Sequence, residues 1–377
     1  VSARRVAIIT HGGIDPPGTG IRIPFLVGLI ERLQRSVDLT IFSPDASLPS
    51  APEIPDGVAR RVYAGSTRAT GSIRRPLSLG YAVLREHRRV PFDLLHGIWA
   101  LPSGVLAVSL GKWLGLPSVV SLHGAETASV PSIAYGNLLS RPKRLLTLWT
   151  SRNASALTLL SAHQQAALAR AGVNRADPVI VPPASDPSFC LDRTERSPGR
   201  VVHFLHVANL TEVKDQPTML EAFRLIAGAR PSRLRVIGAD YLQGAVQRRA
   251  KALGIGDQVE FLGYLPPDEL PQHYLWADIL LHTSFHEAGG VVVAEAAAAG
   301  VPVFGTRTGL MADLADNVTV VVEPGDSAGL AERVLAALDT PDCLTRMRTA
   351  GQAWARAHTI ETSARLILET YERLTPC

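Results

Sequence analysis

Cysteines are few in this chain, apolar runs are short, and the common nucleotide-loop signatures are missing. Cys190, Cys343 and Cys377 are widely spaced and odd in number, so neither a disulfide framework nor a Cys-based metal site is expected. A reduced, cytosolic compartment is the simplest expectation, which makes the Asn-x-Ser/Thr matches at Asn153, Asn209 and Asn317 chance. No apolar run approaches the ~20 residues that a membrane-spanning helix needs. At the N-terminus, only Val6 to Thr10 lie between two arginines and His11, which is too short for a signal-peptide core. There is no Gly-Lys-Ser/Thr after a glycine loop and no G-x-G-x-x-G spacing, so Walker-type and dinucleotide sites are not expected. No Asp-x-Asp pair in a suitable loop and no His/Asp cluster is present, which argues against a required metal.

What is present is an α/β pattern. With 46% hydrophobic and 19% charged residues, the chain is not a disordered one. Its 377 residues point to two domains, since one domain usually takes about 100 to 200. In the first half, strands are expected at Val6–Thr10, Leu39–Phe42, Leu94–His96, Ser118–Leu122, Ala156–Leu160 and Val179–Val181. Ile23–Leu33 and Ala162–Ala171 have helical spacing. A Pro-rich stretch from Pro182 to Pro198 interrupts the pattern. Strands are expected again at Val201–Val207, Leu234–Ile237, Val259–Leu262, Ile279–Leu281, Pro302–Phe304 and Thr319–Val322, with a helix opened by Pro217. Short strands alternating with helices imply parallel β-α-β units. The domains expected are 1–182, 183–360 and a terminal helix within 361–377.

Charge is unequal between the halves. Up to Pro182 there are 20 Lys/Arg against 10 Asp/Glu; from Pro183 onward there are 18 against 24. Arg60 to Arg89 holds eight arginines and a single acid, Glu86. Such a stretch suits a phosphate-rich acceptor or an anionic membrane surface, or is simply a solvated face. No nucleic-acid partner is expected.

The most informative segment is SFHEAGGVVVAEAAAAGVPV, Ser284 to Val303, in which Glu287 and Glu295 stand eight positions apart around a Gly-Gly pair. An apolar run, Ile279 to Thr283, precedes it, and an Ala-rich helix from Val291 to Ala299 is closed by Gly300. Gly289 and Gly290 leave the backbone bare where that helix begins, so unpaired amides and the positive end of the helix dipole suit an anion such as a diphosphate.

This segment resembles the signature of retaining glycosyltransferases of family 4, roughly S-x-x-E-G-F-G-x-x-x-x-E-A-x-A-x-G-x-P-V, with Ala288-Gly289 in place of Gly-Phe. The resemblance implies the GT-B fold, two Rossmann-like domains facing each other across a cleft. It implies that Glu287 binds hydroxyls of a donor sugar, that the backbone of Gly289, Gly290, Val291 and Val292 holds a diphosphate, with Ala288 in the same donor-binding run, and that Glu295 takes the ribose. The family's G-R-L-x-x-x-K appears as Ala208-Asn209-Leu210 with Lys214 at the right spacing. Lys214 would then meet the departing diphosphate, while Asn209 brings no charge where an arginine is usual. His123-Gly124-Ala125-Glu126 resembles H-G-x-D and gives His123 a place on the donor sugar or phosphate. Gly12 and Gly13, in the loop His11 to Gly20, match the Gly-Gly that approaches from across the cleft, and Gly263-Tyr264 matches the position facing the nucleobase. His96 is expected to pack or to face the acceptor. In the family a terminal helix returns to brace the N-terminal domain.

The expected function is transfer of a sugar from a nucleoside diphosphate sugar, UDP- or GDP-linked, to a hydroxyl acceptor bound by the first half. His123, Lys214 and Glu287 are the candidate catalytic residues, and no cofactor beyond the donor is called for. Peripheral contact with an inner membrane face is the further expectation. The alternatives are a sugar-nucleotide-binding partner with weak or lost activity, or an epimerase or phosphorylase on the same architecture.

Overall fold

The structure, a computed structural model, describes residues 3–14, 23–43, 60–63, 74–191 and 199–376. Part of the glycine-rich loop (15–22), of the basic stretch (64–73) and of the Pro-rich boundary (192–198) lies outside them. The first half places β1 (Arg5–Ile9), β2 (Asp38–Ser43), β3 (Arg60–Tyr63), β4 (Leu94–Ile98), β5 (Ser118–Leu122), β6 (Ala156–Leu159) and β7 (Val179–Ile180) in one sheet, ordered β3-β2-β1-β4-β5-β6-β7. Between them run α1 (Pro24–Leu33), α2 (Arg74–Arg89), α3 (Val105–Leu114), α4 (Arg141–Asn153) and α5 (Ala162–Arg170). The second half orders β8 (Val202–Val207), β9 (Ser232–Ile237), β10 (Val259–Gly263), β11 (Ile279–His282), β12 (Val303–Thr306) and β13 (Thr319–Val322) as β10-β9-β8-β11-β12-β13. Its helices are α6 (Gln216–Ala229), α7 (Ala245–Ala252), α8 (Leu270–Trp276), α9 (Val291–Ala298), α10 (Gly309–Asp313), α11 (Ser327–Asp339) and α12 (Cys343–Ala357), and α13 (Ile360–Leu374) ends the chain.

Every pairing in both sheets is parallel. Helices cover both faces, so the central strands must be apolar throughout, and Val6, Ala7, Ile8 and Ile9 are all fully buried. Every expected strand is present within about two residues of its expected bounds. The added strand, absent from the expected set, is β3. Its residues, Arg-Arg-Val-Tyr, have no apolar run, and the strand exists by pairing Thr40 to Ser43 of β2 at the sheet edge.

The strand order reverses between β1 and β4 in one sheet and between β8 and β11 in the other. Ligands of such sheets bind beyond the carboxyl ends of the strands at those reversals. The fold is therefore α/β with two Rossmann-like domains across a cleft. The two halves also touch directly. The Ser161 hydroxyl donates to the Ala288 carbonyl at 2.6 Å. Asp313 of α10 accepts from the Ala162 and His163 amides at 2.6 and 2.8 Å, capping the start of α5 from the other half.

After α12 the chain crosses back, and α13 packs on α1. Ile360, Ala364, Ile367 and Tyr371 join the same core as Val6, Ile8 and Leu26. His96 is buried between Tyr371 Oη (2.6 Å) and Ser121 Oγ (2.7 Å), and burial pushes its pKa down to about 3. Its work is packing. Among the described residues no helix is long and apolar enough to cross a membrane.

Candidate active site

The two loops that follow β8 and β11, on either side of the reversal in the second sheet, are stitched together. The Thr283 hydroxyl donates to the carbonyls of Lys214 and Asp215 at 3.1 and 3.0 Å, and the Phe285 amide donates to the Val213 carbonyl at 2.8 Å. This stitching brings two residues far apart in sequence into contact. Lys214 Nζ donates to Glu287 Oε1 at 2.5 Å, and Ser284 Oγ donates to the same oxygen at 2.7 Å. Burial alone would raise the Glu287 pKa, but the Lys214 charge and the nearby His282 overcome it and hold the carboxyl far below its usual range. Glu287 is thus a fixed anion.

Lys214 and Glu287 line a cavity of about 470 Å³. Asn209, Tyr264, Ala288, Gly289, Gly290, Val291 and Val292 share its wall from the second half, and Phe25, His123, Gly124, Tyr135 and Leu160 from the first. The first amides of α9 have no carbonyl within the helix to bind, and here they border the cavity. The two glycines have different reasons. Gly290 takes φ +103°, where other residues are strained. A Cβ on Gly289 would come within 3.0 Å of Leu160 and 3.1 Å of Pro183, so this glycine lets the first half approach. Ala288, in the position where glycine was expected, buries its methyl in the core of the first half.

Glu295 lines an adjoining cavity of about 570 Å³ together with Arg32, Asp186 and Asp268. It accepts from Tyr274 Oη at 2.8 Å. Burial, more than that bond can offset, raises its pKa to about 7. His123 keeps one face toward the first cavity and has its pKa lowered to about 4 by burial, so it is neutral at pH 7. Its loop is held by Glu126, which accepts from the amides of Gly124 (2.7 Å) and Ala100 (3.2 Å). Gly12 and Gly13 are not in either wall. Gly13, at φ +81°, lies under Trp99, whose ring would be 2.7 Å from any Cβ there, so the structure accounts for this glycine by packing. Gly263, also at positive φ, is outside the wall, while Tyr264 is in it.

Residues 192–354 match the family described as glycosyl transferases group 1, and residues 25–189 match glycosyltransferase family 4. The chain is 30% identical to a 2-deoxystreptamine glucosyltransferase of Streptomyces kanamyceticus over 77% of its length and 80% of that protein. It belongs to glycosyltransferase family 4. A D-inositol 3-phosphate glycosyltransferase of Streptomyces scabiei is 27% identical over 98% of the chain and 91% of the relative. Among solved structures, sucrose-phosphate synthase of Thermosynechococcus elongatus superposes with TM-score 0.80 at 18% identity, covering 98% of this chain and 99% of that one. HepE of Anabaena, in complex with UDP and glucose, gives 0.77 at 18% identity, covering 98% and 100%. These two share the fold.

For this family 4 glycosyltransferase the sequence left out several wall residues. His282 is fully buried at the end of β11, with Nε2 3.4 Å from Glu287 Oε1 and, among the described residues, no hydrogen-bond partner for Nδ1. Its signal was available, since it is a polar residue ending an apolar strand at the sheet's carboxyl edge. His286 reaches across to the Gly124 carbonyl at 3.4 Å and sits beside Glu287 in the motif itself. Tyr135 comes from an irregular loop held by a short bridge between Val130 and Tyr135, and no spacing announces it. Asn209 has a job of its own, accepting from the Ala239 amide at 3.1 Å.

Proposed function

We infer that this glycosyltransferase moves a sugar from a nucleoside diphosphate donor, UDP- or GDP-linked, to a hydroxyl of an acceptor held by the first half, with retention at the anomeric carbon. The observation that carries the reading is the Lys214–Glu287 pair set against the open amides of α9, with a second carboxylate, Glu295, in the next cavity. A donor laid across the two cavities meets one group for each part. Glu295 and its neighbours take the ribose, the amides of α9 and Lys214 take the diphosphate, and Glu287 accepts from sugar hydroxyls.

The bond that breaks joins the anomeric carbon to a phosphate oxygen, and its electrons leave with the diphosphate. Positive charge waiting there stabilises the transition state. The acceptor oxygen bonds the anomeric carbon on the face the diphosphate leaves, and its proton passes to the departing phosphate oxygen. Glu287 is a donor-binding residue in this scheme, because its carboxylate is already committed to Lys214 and Ser284. His123, neutral, hydrogen-bonds the donor sugar.

Two measurements test the reading. Calorimetry with UDP and GDP checks binding, and turnover of a panel of UDP-, GDP- and ADP-sugars, with the product's anomeric configuration read by NMR, checks transfer and retention. An inverted product would overturn the retaining step alone. Asn209 favours a second reading, a sugar-nucleotide-binding partner of low activity, since it gives no charge and its carbonyl is used to hold Ala239. Nucleotide binding without turnover on any donor and acceptor would select it.

A further inference from the structure

The first six residues of α4, Arg141-Pro142-Lys143-Arg144-Leu145-Leu146, are exposed on every side of the helix, and the buried face begins only at Thr147. Leu145 is 69% and Leu146 46% accessible. Leu139, just before the helix, is also exposed. Folding gains nothing from apolar groups left in water. The charges are as costly to the isolated chain. Arg141, Lys143 and Arg144 crowd the positive end of the helix dipole, no acid lies in the first turn, and no side chain caps the helix. None of the three is paired with an acid among the described residues. A protruding helical turn that is cationic and apolar at once is poorly suited to solvent alone.

We propose that this tip of α4 docks the protein on an anionic lipid bilayer, with Leu145 and Leu146 entering the headgroup and acyl boundary and Arg141, Lys143 and Arg144 meeting the lipid phosphates. Charge complementarity selects an acidic surface, and a turn exposed on every side, with no groove lined by it among the described residues, suits insertion rather than reception of a peptide. The helices of a parallel sheet begin at its carboxyl edge, so α2 starts on the same edge as α4, and its first turns expose Leu77 (67%) and Tyr81 (66%). Arg88 and Arg89, at the far end of the 16-residue α2, lie about 20 Å along the axis from its start. The contact expected for the whole basic stretch is therefore narrowed to this edge. Only residues 136–140 separate Tyr135, in the cavity wall, from the tip, which places the cleft beside the bilayer.

Sedimentation of the full chain with phosphatidylglycerol vesicles and with pure phosphatidylcholine vesicles tests this. The chain should bind the first at low salt, bind the second weakly, and be released as salt rises. The combined change Arg141→Ser, Lys143→Ser, Arg144→Ser should weaken phosphatidylglycerol binding roughly a hundredfold. Leu145→Ser with Leu146→Ser should weaken it roughly tenfold and keep the salt dependence. All five side chains are exposed, so Tm should stay unchanged in both variants. Failure of the parent to bind phosphatidylglycerol at low salt overturns the proposal without any variant. So does equal binding by the charge variant. A dimer that dissociates on the leucine change, with no vesicle binding, assigns the tip to a second copy of the chain instead. Calorimetry with UDP and GDP is independent of every arm, so the donor reading and the membrane reading fail separately.

Discussion

The two halves have almost the same sheet and opposite electrical designs. The second half is acidic in sum, yet it supplies Lys214 beside Glu287 in one cavity wall and Glu295 in the next. The first half has twice as many basic as acidic residues, yet the side chains it gives to the cavity beside Glu287 are uncharged at pH 7: Phe25, His123, Tyr135 and Leu160 among them. Net charge thus says little about where charge is used. In the second half it stands in the wall beside the first amides of α9; the first half gives none to that wall, and in the Glu295 cavity it gives Arg32.

The largest test of this contrast is Lys214→Ala. Turnover should fall about a hundredfold to a thousandfold, and the Kd for free nucleotide should change much less, because the charge matters most as the diphosphate departs. Steady-state kinetics beside calorimetry separates the two.

Next in size, Glu295→Ala should weaken nucleoside diphosphate binding by about 1.5 to 3 kcal/mol, the worth of hydrogen bonds to a charged group. Burial lifts this carboxyl to about 7, so the ionised form is lost as pH falls through that value, and parent affinity should fall below about pH 7 while the variant shows no such step. Stability runs the other way. The folded pKa lies above the ordinary 4.5, so protonation favours the fold, and that contribution is lost as pH rises from about 4.5 to about 7. Glu295→Gln should therefore have a higher Tm than the parent above pH 7 and match it at pH 4.

Asn209→Arg is a smaller change. A second cation beside Lys214 should raise turnover by up to about tenfold, and releasing the Ala239 amide should cost about 1 kcal/mol of stability. Lower turnover would mean that Asn209 serves the site through Ala239. The smallest effect is expected in the first half. Tyr135→Phe removes a hydroxyl in the cavity wall; if it bonds the acceptor, the loss of one neutral hydrogen bond, about 0.5 to 1.5 kcal/mol, should raise the acceptor KM several-fold and leave nucleotide affinity alone. An equal loss of nucleotide affinity would put Tyr135 on the donor and break the contrast between the halves.

The sequence was legible where local pattern and long-range use coincide. Glu287, the Gly289-Gly290 pair and Lys214 lie on motifs whose spacing is set by a strand, a loop and a helix in succession, and the fold only has to close those loops together. Twelve of the strands read from apolar runs for the same reason. β3 could not be read, because an edge strand of four residues takes its existence from its neighbour. Tyr135 could not be read either, because its place depends on an irregular loop. Gly13 shows another difficulty: the motif offers a ligand contact for it, while the structure gives a packing reason, Trp99, 86 positions later, that no local pattern announces.

Asp313 holds the amides of Ala162 and His163 from the opposite half of the molecule. Those two amides belong to a helix whose own cap, Ser161, is also spent partly on the other half, through Ala288. Any parting of the halves therefore strips protection from the start of α5 while its later turns stay bonded. Hydrogen exchange at Ala162 and His163 would then run at the rate at which the cleft opens, slowing when a ligand spanning both halves is bound, and these two positions serve as a gauge of that opening that requires no added probe.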